Sequence, residues 1–356
     1  MWEVDNTTPF PHAMTFLRDA EGRSLWVVGV KATFDFRHGK PCLFTPEQIE
    51  PFYGPCFADD DTQSDMLADT DVTLPKGQVD LVIDATAYPP REARPEQPYL
   101  VQIEAGPLAK VIQVAPPSTL TRWQGVSPIQ NAPHEPVPLR YSQSFGGMRT
   151  DANPIGMGDD PDADRETMQI PRLSLPGKPY QQPKSPVPPA ALNAIPRSWA
   201  ERDALSGTYD EAWQRRRSPL LPDDLQPEYW QSVPSDQRLD RAAAAGAQIT
   251  LTNMTSSDGA WADPPVTFTL PHVGLDMVTR FRGDWTELTP ELQTVHIAAD
   301  ARRVSLFYLA TMPIEAGKND VLVDTTMITL EDSTGFRVRP EHASMFERSA
   351  NLEEAV

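Results

Sequence analysis

The chain has 356 residues, 39% of them hydrophobic, with 38 prolines and a formal net charge of −19. That length can bury a large core and divide into more than one packed unit, whereas the acidic balance excludes the clustered cations of a nucleic-acid binder, so no nucleic acid is expected as a partner. No apolar run reaches the roughly 18 residues that span a bilayer, residues 1–11 lack the apolar core of a signal peptide, and Cys42 and Cys56 are too few for a disulfide framework. The expectation is a cytoplasmic protein with no membrane insertion.

In residues 25–36, Val28, Val30, Ala32, Phe34 and Phe36 alternate with Gly29, Lys31, Thr33 and Asp35, the period of a strand with one face in the core and the other wet. Val79, Leu81, Ile83, Ala85 and Ala87 repeat the pattern, and residues 99–105 and 110–114 follow it, with Gly39-Lys40-Pro41, Pro89-Pro90 and Gly106-Pro107 as turns. These predict an antiparallel N-terminal β unit over residues 1–150. Within it, six aspartates from Asp59 to Asp71 with few apolar partners predict a solvated loop.

Residues 151–200 hold ten prolines, with Pro183, Pro186, Pro188 and Pro189 crowded together, which favours extended chain over regular structure. The segment reads either as a flexible linker or as an ordered belt across both β units; the aromatic residues that follow favour the belt, drawn over 151–245. Residues 210–216 predict two helical turns, and residues 235–245 a short helix ended by Gly246. Strand alternation resumes at Ala247, Ile249 and Leu251 and at Val266, Phe268 and Leu270. Residues 278–282 and 285–288 predict a hairpin turning at Gly283-Asp284, followed by strands at 294–298, 304–311 and 321–330. The C-terminal β unit is drawn over 246–340, with a terminal helix and tail over 341–356. The predicted fold is mainly β: two antiparallel sandwich-like β units joined by a long proline-rich, aromatic-anchored irregular segment with short helices.

Residues 196–237 concentrate Trp199, Tyr209, Trp213, Tyr229 and Trp230 in a charged stretch punctuated by Pro196, Pro219, Pro222, Pro227 and Pro234. Prolines forbid a long helix, so tertiary contacts must pin these aromatics. Two readings stand side by side. Trp199, Arg202, Tyr209, Asp210, Trp213 and Arg217 are residue types enriched at binding hot spots. The same set equally describes an internal clasp, with rings buried, Asp210 or Asp236 capping backbone amides and arginine stems covering apolar rings. The two agree if the belt shapes a groove whose rim does the binding.

Elsewhere the residues carry little chemistry. His12, His38, His134, His272, His296 and His342 include no pair at the i, i+4 spacing of a helical zinc site. Asp160, Asp162 and Asp164 copy the first three positions of a calcium loop, but Arg165 and Pro171 stand where glycine and glutamate belong; the alternative is a solvated acidic turn. Phe145-Gly146-Gly147 and Gly156-Met157-Gly158 lack the strand, helix and lysine of a phosphate loop and read as tight turns. No catalytic set, metal or cofactor is expected. The rival readings are a carboxylate-dependent hydrolase and a carbohydrate-binding module on a β scaffold.

The run Ile195-Pro196-Arg197-Ser198-Trp199, then Arg202, Gly207-Thr208-Tyr209-Asp210, Trp213, Arg217, Pro219-Leu220-Leu221-Pro222-Asp223-Asp224, Pro234, Asp236 and Gln237 resembles the bacterial family called domain of unknown function 2169. Trp26-Val27-Val28, Val30-Lys31-Ala32-Thr33-Phe34, Pro138-Leu139-Arg140-Tyr141, Phe145-Gly146-Gly147, Asn153-Pro154, Gly156 and Gly158 agree with it in order. The match thins after about residue 271, and Val114-Ala115-Pro116-Pro117 stands where Gly-Asp-Arg is expected. The resemblance implies an adaptor or chaperone that binds a secreted effector in the cytoplasm and loads it onto the type VI secretion spike or its tip protein. It requires no catalysis. Trp199, Arg202, Tyr209, Asp210, Trp213, Arg217, Asp236 and Phe145 are the candidate interaction or clasp residues.

Overall fold

A computed structural model describes residues 2–59, 61–121, 125–158, 169–181, 186–314, 323–331 and 335–347. The calcium-like residues Asp160, Asp162 and Asp164 lie outside them. The principal strands are β1 (Glu3–Asn6), β2 (His12–Arg18), β3 (Ser24–Asp35), β4 (Val79–Asp84), β5 (Tyr99–Ala105), β6 (Leu108–Val114), β7 (Gln248–Thr252), β8 (Val266–Thr269), β9 (Leu275–Phe281), β10 (Asp284–Leu288), β11 (Glu291–Ala298), β12 (Arg303–Ile314) and β13 (Val323–Leu330). The fold is mainly β, as the alternation predicts. No helix among the described residues is long and apolar enough to cross a membrane.

Strand pairing crosses the segment boundaries drawn from the sequence. A seven-stranded sheet runs from the short strand Arg238–Leu239 through β4, β11, β12 and β3 to β2, with Leu43–Phe44 added to β3. Its longest contact is β3 against β12, antiparallel from Ser24↔Ile314 to Asp35↔Arg303. The pair β4 and β11 is parallel, a direction that alternation within either strand does not encode. A five-stranded sheet interleaves the halves again, in the order Leu173–Ser174, β6, β5, β7, β8. A four-stranded sheet places β1 beside β13, then β9 and β10. The main apolar cluster draws on all three sheets, including Trp26, Ile103 and Ile328. Trp26 Nε1 donates to Thr326 Oγ1 at 2.9 Å, and Phe36 stacks on Phe268 at 4.1 Å, so aromatic groups join neighbouring sheets.

The wet face expected for β3 is buried. Leu25 and Val27 pack with Phe307 and Leu309, and Lys31 and Thr33 are 1% and 0% exposed. The segment between β3 and β4 covers this face: the Gln48 side chain accepts from the Thr33 N–H and donates to its C=O, both at 2.9 Å. A side-chain amide thus supplies the edge pairing that β2, ending opposite Val30, leaves open. The aspartate loop is likewise not solvated throughout. Asp65, Asp69 and Asp71 are buried, while Asp59 and Asp61 stay exposed.

Two local expectations shift. The hairpin turns at Arg282-Gly283 rather than Gly283-Asp284, with Phe281 paired to Asp284. Both turn residues have positive φ, 56° and 93°, the geometry of a two-residue hairpin loop. Residues 235–245 do not form one helix. They divide into a 3-10 turn at Ser235–Gln237, the strand Arg238–Leu239 against β4, and a short helix at Arg241–Ala244, with Gly246 at φ 66°. Pairing with β4 outcompetes the local helix preference. The tail begins with a 3-10 helix at Pro340–Met345.

Candidate functional site

The belt divides the sequence candidates into an inner and an outer group. In the inner group, Pro196 ends the extended chain and Trp199 precedes the short helix α1 (Ala200–Asp203). Trp199 is buried and packs edge-on against Tyr141 at 5.1 Å, beside Ala191 and Ile195. One turn on, Arg202 points inward and is 1% exposed. Its Nη1 donates to Asp69 Oδ2 at 2.8 Å and to the Ile195 C=O at 2.7 Å, while Nε and Nη2 donate to the Tyr229 C=O at 3.2 and 2.9 Å. Arg197 adds a longer contact to Asp69 Oδ2 at 3.4 Å. Burial pushes the Asp69 carboxyl up, but Arg202, Arg197 and the Thr70 N–H together hold it below its ordinary value.

Next to this pair the irregular belt segment at Gln231 and Ser232 is bound to β4 through Asp80. The buried Asp80 carboxylate accepts from Lys76 Nζ at 2.7 Å, Gln231 Nε2 at 2.6 Å, the Ser232 N–H at 2.7 Å and Ser232 Oγ at 2.8 Å. Lys76 also donates to Thr294 Oγ1 at 2.9 Å. Lys31 donates to Asp71 Oδ2 at 2.8 Å and lies 3.5 Å over the Phe52 ring. Burial lowers the Lys31 ammonium against the pull of Asp71. Asp236 and Gln237 close the far end of the belt. Lys110 Nζ donates to Asp236 Oδ1 at 2.8 Å and Gln237 Oε1 at 2.7 Å, and Gln237 Nε2 donates to the C=O groups of Leu81 and Leu192. Phe145 is buried and stacks on Tyr180 at 5.7 Å. Asp236, expected as a possible amide cap, is instead the acceptor of a lysine.

These charges surround a void of only about 10 Å³, lined by Lys31, Asp69, Asp71, Lys76 and His296 among others. That is room for at most about one water. The carboxylates facing it are taken up by cations and backbone amides, so the arrangement fastens belt to sheet. Asp69 and Asp71 escape sequence reasoning because their cations are distant in the chain, Arg202 at 133 residues and Lys31 at 40; Asp80 has Lys76 four residues away, but its belt partner Gln231 is 151 away.

His296 Nε2 is buried and has no hydrogen-bond partner among the described residues. Burial, then the neighbouring Lys31 cation, push its imidazole down to about 4, against the opposite pull of Asp84 and Asp71. Between pH 6.5 and 4 the unfolded chain therefore binds the proton more readily than the folded one. The contribution is full above pH 6.5 and is lost as pH falls through this window; the gap corresponds to on the order of 3 kcal/mol. The urea midpoint of the wild type is expected to fall across that window, and His296→Gln to flatten the fall. An equal fall in both proteins would assign the acid sensitivity elsewhere.

The outer group is a closed excursion of residues 206–225. Its neck is tied by the Gln226 N–H to the Leu205 C=O at 3.0 Å and by Asp224, which accepts from Thr208 N and Oγ1 at 2.9 and 2.6 Å. Gly207 has φ +80°, and a Cβ there would come within 2.7 Å of Pro222, so both backbone and space require glycine. Asp210 caps α2 (Glu211–Arg216), accepting the Trp213 N–H at 2.8 Å, as the sequence reading allowed. Trp213 Nε1 donates to the Leu220 C=O at 2.8 Å and Tyr209 packs edge-on against it at 4.8 Å. Arg217 donates to the C=O groups of Leu221 and Ala20, both at 2.6 Å, and pairs with Asp223. The bond to Ala20 docks the excursion on the turn after β2. Asp210→Ala is expected to weaken the excursion by about 1 kcal/mol, read as faster amide exchange in residues 211–217 with an unchanged global unfolding midpoint.

Between the docked excursion and the end of β2 lies an open cleft of about 430 Å³, lined by Leu17, Tyr53, Val72, Leu74, Leu220 and Trp230, with Arg18, Asp19 and Arg197 at its rim. None of the sequence candidates Trp199, Arg202, Tyr209, Asp210, Trp213, Arg217, Asp236 and Phe145 lines it; the excursion contributes Pro219, Leu220 and Leu221 instead. Among the described residues no group of three or more His, Cys, Asp or Glu side chains is placed to hold a metal ion. Cys42 is buried, its thiol pushed up to about 12 by burial and then by Asp35, the state of an inert thiol.

A family model described as "Uncharacterized protein conserved in bacteria (DUF2169)" matches residues 21–308. No curated protein and no solved structure matches the chain. The match covers most of the sequence, and the chain belongs to this bacterial family.

Proposed function

We propose that this member of the family is an adaptor that holds a type VI secretion effector in the bacterial cytoplasm and helps load it onto the spike or its tip protein. The observation that carries the reading is the open, mostly apolar cleft beside an outer sheet strand, built by an excursion whose shape is fixed from within. Such a surface binds a polypeptide without transforming it. The carboxylates around the neighbouring buried void are consumed in holding the belt, which favours binding over hydrolysis. The net charge of −19 suits cargo with basic segments.

Deleting the gene in the bacterium that encodes it tests the reading. The expected result is loss of one effector from the secreted proteome, restored by a plasmid copy, with spike secretion retained. An unchanged secreted proteome under conditions where the spike is secreted would overturn it.

A further inference from the structure

The cleft beside β2 carries the opposite sign to the chain around it, which, resting on the adaptor reading, identifies the kind of segment it holds. Its polar side chains are spent unevenly. Asp19, the one acidic residue lining it among the described residues, accepts the Arg23 N–H at 2.8 Å and Arg23 Nε at 2.7 Å. Thr70 and Thr73 donate their hydroxyls to the C=O groups of Phe52 and Leu74 at 3.0 and 2.8 Å. The cations are not spent in this way. Arg18 is exposed and has no ion pair among the described residues. Arg197 reaches only Asp69, at 3.4 Å, a carboxylate that Arg202 already holds at 2.8 Å, so two guanidinium groups share one negative charge. Arg197 Nη2 is buried without a hydrogen-bond partner. The Tyr53 hydroxyl accepts from the Met14 N–H at 3.2 Å and keeps its own proton to donate.

The unspent side-chain capacity of the cleft is therefore positive charge and hydrogen-bond donors, set among the apolar walls of Leu17, Val72, Leu74 and Leu220. The chain as a whole, at −19, repels an acidic segment at long range. Salt limits that field to roughly 10 Å at 0.1 M, so inside the cleft the nearest charges, Arg18 and Arg197, decide what fits. An acidic segment thus meets repulsion over most of the surface and attraction here, which fixes where it binds. Arg197, its side chain 35% exposed and 5.3 Å over the Trp230 ring, is screened less than a guanidinium in open water and gains more from a carboxylate. The Leu220 wall is already in place, held by Trp213 Nε1 and by the docking of Arg217 at Ala20, so binding requires little ordering of it.

We propose that the cleft takes up an effector segment in which acidic residues sit among apolar ones, its carboxylates paired with Arg18 and Arg197 and its apolar side chains against Leu17, Val72, Leu74 and Leu220. The long-range field of the chain and this anchor act on different parts of the cargo.

Arg18→Glu reverses the sign at an exposed residue that holds no ion pair among the described residues, and Arg197→Gln removes the second charge while Arg202 retains Asp69. The probe is an array of fluorescent nonapeptides with glutamate or aspartate at two central positions among leucine, valine and phenylalanine, each made again with glutamine and with lysine at those positions. Binding is measured by anisotropy, and circular dichroism and thermal unfolding check that each variant is folded. The expected result is that wild type binds acidic members about tenfold tighter than their glutamine counterparts, that added salt reduces this preference, and that Arg18→Glu and Arg197→Gln each lose it. No binding of any acidic peptide to wild type, a preference for the glutamine or lysine counterparts, or an undiminished acidic preference in folded Arg18→Glu overturns the proposal. So does displacement of the peptides by an equal concentration of glutarate, since the cleft would then serve a small carboxylic acid, and so does a dimer in sedimentation that Arg18→Glu dissociates, since it would then serve a second copy of this chain. If the effector is still secreted by a bacterium carrying Arg18→Glu, the cleft proposal fails while the adaptor reading stands. If the peptides bind as expected but deleting the gene leaves the secreted proteome unchanged, the adaptor reading fails and the preference of the cleft stands.

Discussion

Asp80→Ala is expected to remove about 4–5 kcal/mol of stability, most of what a protein of this kind possesses. Asp80 is 0% exposed and Lys76 is 3% exposed, so the substitution strands a buried ammonium whose remaining side-chain partner is Thr294. It also leaves the Ser232 N–H and Gln231 Nε2 without their carboxylate, each a desolvation cost of about 1–3 kcal/mol. Urea unfolding measures the loss. The double variant Lys76→Met/Asp80→Leu separates the causes: removing both charges restores much of the stability if the single variant suffers from an unpaired cation. A double variant as unstable as Asp80→Ala would show that the hydrogen bonds to the belt dominate instead.

Arg202→Met is expected to cost about 3–5 kcal/mol at neutral pH, by leaving Asp69 charged, buried and without its main partner. The C=O groups of Ile195 and Tyr229 lose their donor as well. The pH dependence identifies the mechanism. In the wild type the Asp69 carboxyl lies below its ordinary value, so its contribution is present above the unfolded-state value of about 4 and lost as pH falls through the folded one. Without Arg202, burial, the largest single influence on Asp69, is opposed only by Arg197 and the Thr70 N–H, and it is expected to raise the carboxyl, so the folded variant takes up a proton more readily than the unfolded chain. The stability difference between wild type and Arg202→Met therefore shrinks between pH 7 and pH 4. A difference independent of pH would mean that Arg202 acts through packing alone.

Much of the strand content is legible in the sequence, because alternation at Val28 to Phe36, Val79 to Ala87 and Ile249 to Leu251 follows directly from which side chains meet the core. Pairing is not. The parallel contact of β4 with β11 and the interleaving of β3 with β12 bring together segments more than two hundred residues apart, and nothing local in either strand encodes the partner. Lys31 and Thr33 read as a wet face because their cover, Gln48, Phe52 and Asp71, belongs to a loop. The same blindness made the aspartate run look solvated: a buried carboxylate is recognisable only once its cation is known.

The belt shows the same division. Its aromatic density and the capping role of Asp210 are visible in the sequence, since a cap and its helix are neighbours. That Trp199 faces inward and Tyr209 outward depends on Tyr141 and on the docking of Arg217 at Ala20. Trp199 is therefore unsuited as a probe of binding, because its removal opens a cavity in the inner cluster. Tyr209, 54% exposed, can be altered without that penalty.

The adaptor account is tested most directly by affinity purification of the tagged chain from the bacterium that encodes it, followed by mass spectrometry. Wild type is expected to bring down one toxin-like effector together with spike or tip components. Recovery of neither effector nor spike protein with folded wild type, repeated under secreting conditions, would contradict the account.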